Sequence, residues 1–363
     1  MEYKDGIEGA TKLRLPVSAG ISKDEEVFFN PHMALNRDLT VALARSLGDG
    51  EMVDVMAGSG ARGIRVANEA GWRVTLNDLN PKACELMRSN LDLNCIEAQI
   101  VSMDARRLFS EGFFDLVDVD PFGTPAPYME AAIGGTRHKG IIAACATDTS
   151  ALCGSHPKAC QRKYSSQSLR TDYYNEAGLR ILLGFAARTA LRNGKGFHPL
   201  ISHATRHYMR MQARLTRDTR DTLASVSYLQ HCFGCLWRGY RGLDELERIC
   251  SCGAPLRTCG PLWTGAFCDK KMLASMSQDI GAHAYQKPDE MAALFTRLSA
   301  EQETHIPYYD LHKLCRLAKT SSPTMDSFRE AVEDAGGSFC RTHFVQTGFR
   351  SGLSAGQLTE LLN

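Results

Sequence analysis

The sequence has no excess of charge of either sign and no long apolar run. Its 42 Lys and Arg residues offset 41 Asp and Glu residues, for a formal net charge of +1. This balance neither favours nor excludes a nucleic-acid partner, because a basic face can be offset elsewhere on the surface. No apolar stretch approaches the roughly 20 residues of a membrane-spanning helix, so no membrane partner is predicted.

The polar residues 1–5 lack the apolar core of a secretory signal peptide. Without an export signal, the 13 scattered cysteines are expected to be reduced thiols in a cytoplasmic protein. Some of them are expected to bind a metal, and a disulfide framework is not predicted. The 363 residues are enough for two domains, and the 44% hydrophobic content is ordinary for a globular protein.

Strand-like and helix-like segments alternate along the first part of the chain. Strands are predicted at residues 53–56, 73–77, 98–103, 114–119 and 141–146. Helical patterns are predicted at residues 64–70, 81–90 and 177–191. This alternation predicts an α/β fold with a mostly parallel sheet and helices on both faces. In such sheets the ligand lies beyond the carboxyl ends of the strands.

The composition changes near residue 228. Residues 231–268 contain six cysteines and few aliphatic runs, and helical patterns with a short β-prone piece follow. We therefore predict one domain over residues 1–228 and a smaller α+β domain over residues 229–363, with a Cys-rich segment at 231–268.

A glycine-rich turn, Gly58-Ser59-Gly60-Ala61-Arg62-Gly63, follows the first strand. It fits the pattern G-x-G-x-x-G, and Asp78 ends the second strand about 20 residues later, as in dinucleotide-binding folds. The same geometry can serve NAD or S-adenosylmethionine, since the acid after the second strand can bind ribose hydroxyls in either. The alternative is a glycine-rich turn without a ligand.

Three features favour S-adenosylmethionine over NAD. Arg62 in the turn and Arg37 before the first strand can hold a methionine carboxylate, although each can instead form a surface ion pair. Asp104 and the backbone N–H of Ala105 follow the third strand and can recognise adenine, although Asp104 can also cap a helix. The third feature is the tetrapeptide that ends the fourth strand, which hydride transfer does not require.

That tetrapeptide is Asp120-Pro121-Phe122-Gly123. Asp120 and a carbonyl near Pro121 can accept hydrogen bonds from the exocyclic amine of a nucleobase. The carboxylate would stabilise the nitrogen as it becomes cationic and would take its proton. Phe122 would stack on the base, and Tyr128 is a further candidate for the same pocket. The alternative is a tight turn that begins a helix.

Together these motifs resemble the family of tRNA (guanine-N2)-dimethyltransferases, which modify guanine 26 of tRNA. The resemblance covers nearly the whole chain, and the length is similar to that of the archaeal type. The matching motifs are Val27-Phe28-Phe29-Asn30-Pro31, Asn36-Arg37-Asp38-Leu39, Gly60-Ala61-Arg62-Gly63-Ile64-Arg65, Leu76-Asn77-Asp78, Asp120-Pro121-Phe122-Gly123-Thr124-Pro125 and Gly260-Pro261-Leu262-Trp263.

The resemblance implies a class I, Rossmann-like methyltransferase domain, S-adenosylmethionine as donor and two successive methyl transfers to one guanine N2. It implies that residues 229–363 bind tRNA, and no obligate protein partner is indicated. The implied catalytic pair is Asp120 and Phe122. The implied cofactor contacts are Arg37, Arg62, Asp78, Asp104 and Ala105.

The Cys-rich segment contains Cys232-Phe233-Gly234-Cys235 and, downstream at zinc-ribbon distance, Cys250-Ser251-Cys252. The family pattern would be C-x-x-C-G, but Ile249 stands three positions before Cys252. We predict a structural zinc ion, because the candidate ligands are all thiolates. These ligands are Cys232, Cys235, Cys250 and Cys252, with Cys259 or Cys268 as substitutes. The alternative is a set of reduced thiols without metal.

Two basic stretches are candidates for tRNA contact. Residues 206–220, with His198 and His203 nearby, can meet the RNA backbone or form a solvated face. Residues 341–350 mix aromatic and basic side chains, which suits RNA stacking or the core of a small domain. Three other functions stay open: an exocyclic-amine methyltransferase acting on another base in RNA or DNA, an NAD-dependent dehydrogenase, and a non-catalytic zinc-bearing RNA-binding module.

Overall fold

The computed structural model describes residues 3–17, 26–110, 112–301 and 306–362. Residues 1 and 2 of the polar amino terminus lie outside the described residues. In chain order the strands are β1 (Tyr3–Glu8), β2 (Thr11–Pro16), β3 (Glu51–Asp54), β4 (Arg73–Asn77), β5 (Gln99–Val101), β6 (Phe114–Val119), β7 (Thr136–Ala146), β8 (Gly196–Thr205), β9 (Tyr208–Thr216), β10 (Val226–Cys232), β11 (Arg238–Arg241), β12 (Leu256–Trp263), β13 (Tyr309–Asp310), β14 (Cys340–Arg341) and β15 (Gly348–Arg350). The α-helices are α1 (Ala34–Leu47), α2 (Ala61–Ala70), α3 (Pro81–Asp92), α4 (Met129–Gly135), α5 (Thr149–Leu152), α6 (Pro157–Tyr164), α7 (Tyr174–Arg192), α8 (Thr219–Ala224), α9 (Lys270–Ile280), α10 (Pro288–Ala300), α11 (Leu311–Ala318), α12 (Met325–Asp334) and α13 (Ala355–Glu360).

A seven-stranded sheet in the order β5-β4-β3-β6-β7-β9-β8 forms the centre of the molecule. The first five strands of this order are parallel, and β9 and β8 complete the sheet in antiparallel pairing. The predicted α/β class is therefore confirmed. Because β4 and β6 lie on opposite sides of β3, the order in which strands are added to the sheet reverses at β3, and a crevice opens at the carboxyl ends of these strands.

Local sequence explains how the helices beside this crevice begin. Gly60 adopts φ 77°, in the left-handed region that favours glycine, just before α2. A Cβ on Gly60 would lie 2.8 Å from Cγ of Met87, so a larger residue would also meet α3. The side chain of Asn80 caps α3 by accepting a hydrogen bond from the Lys82 N–H, and Pro81 occupies the first turn as predicted.

Some predicted boundaries differ from the structure. The fifth strand begins at Thr136 instead of residue 141, because a polar stretch precedes its apolar part and still pairs with β6 at Thr136. Helix α2 begins at Ala61 instead of residue 64, directly after the left-handed glycine. The third strand is shorter than predicted and spans only Gln99–Val101.

The largest apolar core includes residues from both sides of the predicted boundary at 228/229. It extends through the central sheet to Leu229, Leu262 and Trp263, and α9 and α10 also contribute buried side chains to it. A second, smaller core lies within residues 309–358, around Phe328 and Phe349. The two-domain division itself stays a prediction.

The basic and aromatic stretch near the carboxyl terminus is buried. Phe349 and Arg350 are at most 1% exposed, and Phe344 packs in the main core. Arg350 forms ion pairs with Glu176 of α7 at 3.0 Å and with Glu301 at 2.7 Å. Its aromatic residues are therefore core residues, and the expectation of RNA stacking there was wrong.

None of the helices in the described ranges combines the length and the apolar character needed to cross a membrane.

Candidate active site

A cavity of about 340 Å³ lies at the carboxyl ends of β3, β4, β5 and β6. Its walls come from the glycine-rich turn, from the segments that follow these strands and from the segment before α1. The cavity is lined by every residue predicted to contact cofactor or to act in catalysis, and by Tyr128. These predicted residues are Arg37, Arg62, Asp78, Asp104, Ala105, Asp120 and Phe122. Their individual roles stay predictions.

The glycine-rich turn and the acid after the second strand hold each other in place. Asp78 accepts a hydrogen bond from the Gly58 N–H at 2.8 Å with one carboxylate oxygen, and from the Asn80 N–H at 2.9 Å with the other. Gly58 has φ 55°, and a Cβ there would lie 3.0 Å from the Phe28 carbonyl oxygen. The carboxylate of Asp78 keeps free lone pairs toward the cavity, where ribose hydroxyls could donate to it.

Asp104 caps the turn that follows it, close to the capping alternative considered from the sequence, while its contact with adenine stays a prediction. Its carboxylate accepts hydrogen bonds from the backbone N–H and the guanidinium of Arg106, as a turn-capping residue does. The side chain and backbone hydrogen bonds of Arg106 lower the pKa of the Asp104 carboxyl to about 2. Asp104 also lines the cavity beside the buried Ala105. A permanently ionised carboxylate is thus available to an exocyclic amine.

Arg37 forms a buried ion pair, and the surface ion pair considered from the sequence was wrong. Its Nε and Nη2 atoms each donate to the Glu8 carboxylate at 2.6 Å, and its Nη1 atom donates to the Asn30 carbonyl at 3.1 Å. Phe29 packs against the guanidinium at 4.8 Å. Glu8 therefore occupies the Nε–Nη2 edge of the guanidinium. A ligand could bind only the N–H groups on Nη1 and Nη2 that these hydrogen bonds leave unused.

Arg62 links the cofactor turn to the Asp-Pro-Phe-Gly segment. Its Nη1 atom donates to Asn36 Oδ1 at 2.8 Å and to Thr40 Oγ1 at 3.1 Å. Its Nη2 atom donates to the carboxylate of Asp120. The guanidinium, which is 7% exposed, thus orients the carboxylate that was predicted to act on the base.

Two further carboxylates lie beneath Asp120. Asp54 and Asp118 are direct neighbours on β3 and β6, and both are buried. Arg210 of β9 donates through Nη1 to Asp118 at 2.9 Å and also pairs with it through Nη2. Arg62 lies 3.7 Å from the same carboxylate. We call Asp54, Asp118, Asp120, Arg62 and Arg210 the pocket cluster.

The carboxyls of the pocket cluster have opposite pKa shifts. Burial, together with the charges of Asp118 and Asp120, raises the pKa of Asp54 to about 7 despite the nearby Arg62. Burial also disfavours the charge of Asp118, but Arg210 and Arg62 hold the pKa of that carboxyl below its usual value. Asp118 is therefore ionised at neutral pH, whereas Asp54 changes its protonation state near pH 7.

An aromatic pair forms the outer wall of the cavity. The ring of Phe122 is 49% exposed and meets Phe28 edge to face, with centroids 4.3 Å apart. The segment is held by two hydrogen bonds of 2.8 Å between Gly123 and Thr147, which follows β7. An exposed ring on an anchored turn is suited to contact a planar base.

The tRNA contacts considered for residues 206–220, with His198 and His203, were wrong for two residues. Arg210 is 1% exposed and belongs to the pocket cluster, and His203 is fully buried. Strand β9 is covered on the face that carries Arg210, because Thr40 of α1 accepts a hydrogen bond from the same side chain. His198, Arg206, Arg217 and Arg220 do lie at the surface.

The four predicted thiol ligands form one cluster. The sulfur atoms of Cys232, Cys235, Cys250 and Cys252 all lie within 4.8 Å of one another. Two of the S–S distances are 3.5 Å and 3.7 Å. A tetrahedral zinc ion with Zn–S bonds of 2.3 Å separates its ligands by about 3.8 Å. The donor set and its spacing therefore fit zinc, and the C-x-C spacing does not prevent the fit.

Sequence reasoning missed three residues of the cavity and its surroundings. Glu8 precedes its partner Arg37 by 29 positions, and no local pattern links the two. Asp118 sits within an apolar strand, and Asp54 within another, so both were taken as part of the sheet alone. The available signal was an aspartate within an apolar strand, at Asp54 and at Asp118. A carboxylate in a buried strand needs a partner or a function.

Comparisons with known proteins agree with this geometry. The family model for N2,N2-dimethylguanosine tRNA methyltransferase matches residues 8–363. A tRNA (guanine(26)-N(2))-dimethyltransferase of Methanothermobacter thermautotrophicus is 35% identical over 98% of this chain and 97% of its own length. The enzyme of the same name from Methanosarcina barkeri is 36% identical over 100% of this chain and 99% of its own length.

A solved structure has the same fold over the whole chain. The complex of Trm1 from Pyrococcus horikoshii with S-adenosyl-L-methionine superposes with a TM-score of 0.89 at 30% sequence identity. The match covers 99% of this chain and 100% of that one.

Proposed function

The chain belongs to the N2,N2-dimethylguanosine tRNA methyltransferase family, and we propose that its cavity transfers two methyl groups from S-adenosylmethionine to the N2 amine of guanine 26 in tRNA. The observation that carries the residue assignment is that one cavity is lined by all five predicted cofactor contacts and by both predicted catalytic residues. When bound, S-adenosylmethionine supplies an electrophilic methyl group.

Five residues would hold the cofactor. Asp78 would accept hydrogen bonds from the ribose, and Asp104 with the Ala105 N–H would contact the adenine. Each terminal nitrogen of Arg37 and Arg62 already donates to a protein group, so the methionine carboxylate would meet the N–H groups that these bonds leave unused. The methionine end would then lie near Asp120, because Arg62 also donates to that carboxylate.

Asp120 would orient the guanine amine and take its proton. Its side chain is 19% exposed, so one part of the carboxylate faces the cavity while Arg62 fixes the other. As the nitrogen attacks, it becomes positively charged, and a preorganised carboxylate stabilises that charge without reorganising. Phe122 and Phe28 would hold the plane of the base while its amine is aligned.

The pocket cluster would assist through its overall charge. With all its members ionised it contains three carboxylates and two guanidiniums, and so one negative charge in excess. A cationic nitrogen beside Asp120 balances this excess in a poorly solvated site, where charge interactions are stronger than in water. The base must leave its stack to reach the cavity, since an amine inside a helix cannot be aligned there.

Mass spectrometry of tRNA nucleosides after incubation with S-adenosylmethionine tests the proposal. The expected product is N2,N2-dimethylguanosine at position 26 of an unmodified tRNA transcript. A transcript with adenine at position 26 is the control and should remain unmethylated there. Modification of DNA alone, or of a different base, would contradict the proposal.

We also propose that the four-thiol cluster binds structural zinc. The neighbouring backbone is already folded around it, with hydrogen bonds of 2.8 Å from the Cys232 N–H to Trp237 and from the Cys250 N–H to Ala254. Elemental analysis of purified protein should find about one zinc ion per chain, and none in a Cys232→Ser/Cys235→Ser variant. A Cys259→Ser variant is the control. Wild-type protein without zinc would contradict the assignment.

A further inference from the structure

Helix α6 stands next to the mouth of the cavity. Its last residue, Tyr164, is buried and hydrogen-bonds to Thr124 at 2.8 Å and to Asp148 at 2.6 Å. Thr124 directly follows the Asp-Pro-Phe-Gly segment, and Asp148 follows Thr147, which lines the cavity. Lys163 also pairs with Asp148 at 2.9 Å. The helix is therefore fixed to two segments that form the mouth.

The stretch of sequence that contains α6 is basic. Between Asp148 and Asp172 the chain has no Asp or Glu. The basic residues in this interval are His156, Lys158, Arg162, Lys163 and Arg170. In a chain with a net charge of only +1, such a separation of charge marks a local positive surface.

Lys158 and Arg162 form the outer face of this helix. Both are exposed, whereas Cys160 and Tyr164 on the opposite side are buried. Neither side chain forms an ion pair with an acid anywhere in the described residues. They stand four residues apart on one face, where two like charges disfavour the helix. Arg162 lies in the last turn, where a cation stabilises a helix, but folding gives no such reason for Lys158 in the first turn.

We infer that α6 is a docking helix for the RNA backbone, with Lys158 and Arg162 binding phosphates next to the nucleotide that enters the cavity. This inference rests on the proposed function. The two side chains are about 6 Å apart along the helix axis, and Lys158 is about 9 Å from Tyr164. One strand of nucleic acid advances about 3.4 Å per nucleotide, so the two cations would span about two phosphates close to the mouth.

The test is the salt dependence of tRNA binding by a Lys158→Gln/Arg162→Gln variant. Loss of two phosphate contacts should make the slope of log K against log salt shallower by about 1.4 to 1.8. The same loss should weaken binding roughly 10- to 50-fold at 0.1 M salt. KM for tRNA should rise by a similar factor, while kcat at saturating tRNA and affinity for S-adenosylhomocysteine stay at wild-type values.

An Arg73→Gln/Lys139→Gln variant is the matched control. These two residues are exposed and lie near the amino ends of β4 and β7, at the opposite end of the sheet from the active site. This variant loses the same charge and should bind tRNA with the wild-type slope. An unchanged slope in the α6 variant, or an equal loss in the control, would overturn the docking helix. Failure of the wild-type enzyme to methylate tRNA would instead count against the proposed function.

Discussion

Two of the buried charge clusters in the described part of the chain differ in balance and in access. In the pocket cluster, three carboxylates meet Arg62 and Arg210, and Asp120 is partly open to the cavity. In the second cluster, which we call the carboxyl-terminal cluster, Glu176 and Glu301 meet Arg180, Arg350 and His343. All five side chains of the carboxyl-terminal cluster are at most 3% exposed.

The difference separates a reactive group of charges from a structural one. The carboxyl-terminal cluster satisfies its acids completely and joins α7 to the segment around β15. With Asp54 ionised, the pocket cluster has an excess of negative charge directed at a cavity, and we propose that this excess stabilises a positive charge that develops there. Substitution in the carboxyl-terminal cluster should therefore change stability, and substitution in the pocket cluster should change catalysis.

The largest effect is expected for Asp120→Asn. The amide keeps the size of the side chain but cannot take a proton or stabilise a cationic nitrogen as a carboxylate does. We expect kcat to fall about 10²- to 10⁴-fold, with affinity for S-adenosylhomocysteine nearly unchanged. Asp115→Asn, at the exposed amino end of the same strand, is the control and should retain activity. Activity of Asp120→Asn within tenfold of wild type would show that Asp120 does not take the proton of the guanine amine.

Arg350→Met should have the next largest effect, which is a decrease in the free energy of unfolding. The change leaves Glu176 and Glu301 buried with fewer cations, and breaking such a pair on one side costs about 3–5 kcal/mol. Denaturant unfolding of the full chain should show this loss in the free energy of unfolding. Arg316→Met, on the exposed face of α11, should change it by less than about 0.5 kcal/mol. Equal stability of the two variants would show that the carboxyl-terminal cluster is not structural.

The contents of the two clusters were not equally predictable from the sequence. Asp78, Asp104 and Asp120 each follow an apolar strand, and parallel topology brings such positions to one edge of the sheet. The sequence therefore predicted most of the cavity wall. The partners were not predictable in this way: Arg210 resembled an RNA contact, because no local pattern tells that α1 covers its face of β9.

The partners of residues 341–350 also could not be predicted from local sequence patterns. Arg341, Phe344, Phe349 and Arg350 alternate aromatic and basic character, which suits either an RNA surface or a core with paired charges. Glu176 and Glu301, which decide between the two, lie 174 and 49 positions before Arg350. Pairing over such separations depends on tertiary packing, so composition alone could not settle it.

The smallest expected effect is a pH dependence that distinguishes the clusters. The pKa of Asp54 is raised in the folded protein to about 7, well above the value of about 3.9 that is usual for aspartate, so folding favours its protonated form. Stability from this group is therefore complete below about pH 4 and is lost as pH rises toward 7, with a limiting slope of about 1.4 kcal/mol per pH unit. Above pH 7 the loss levels off.

The carboxyl-terminal cluster should not contribute to this slope. Although burial disfavours the charge of Glu301, His343 and Arg350 hold the pKa of its carboxyl below the usual range. Its stabilisation is therefore present above the ordinary glutamate pKa and is lost only as the solution becomes more acidic.

Unfolding free energies of wild type and Asp54→Asn, measured between pH 5 and pH 8, test this difference. The asparagine cannot ionise, so subtracting the two profiles cancels the contribution of the titrating groups that do not interact with Asp54 and leaves that of the pocket cluster. We expect the wild type to lose stability relative to the variant up to about pH 7, and the difference to be constant above it. A pH-independent difference would show that Asp54 stays ionised throughout, so that the excess negative charge of the pocket cluster is permanent rather than set by pH.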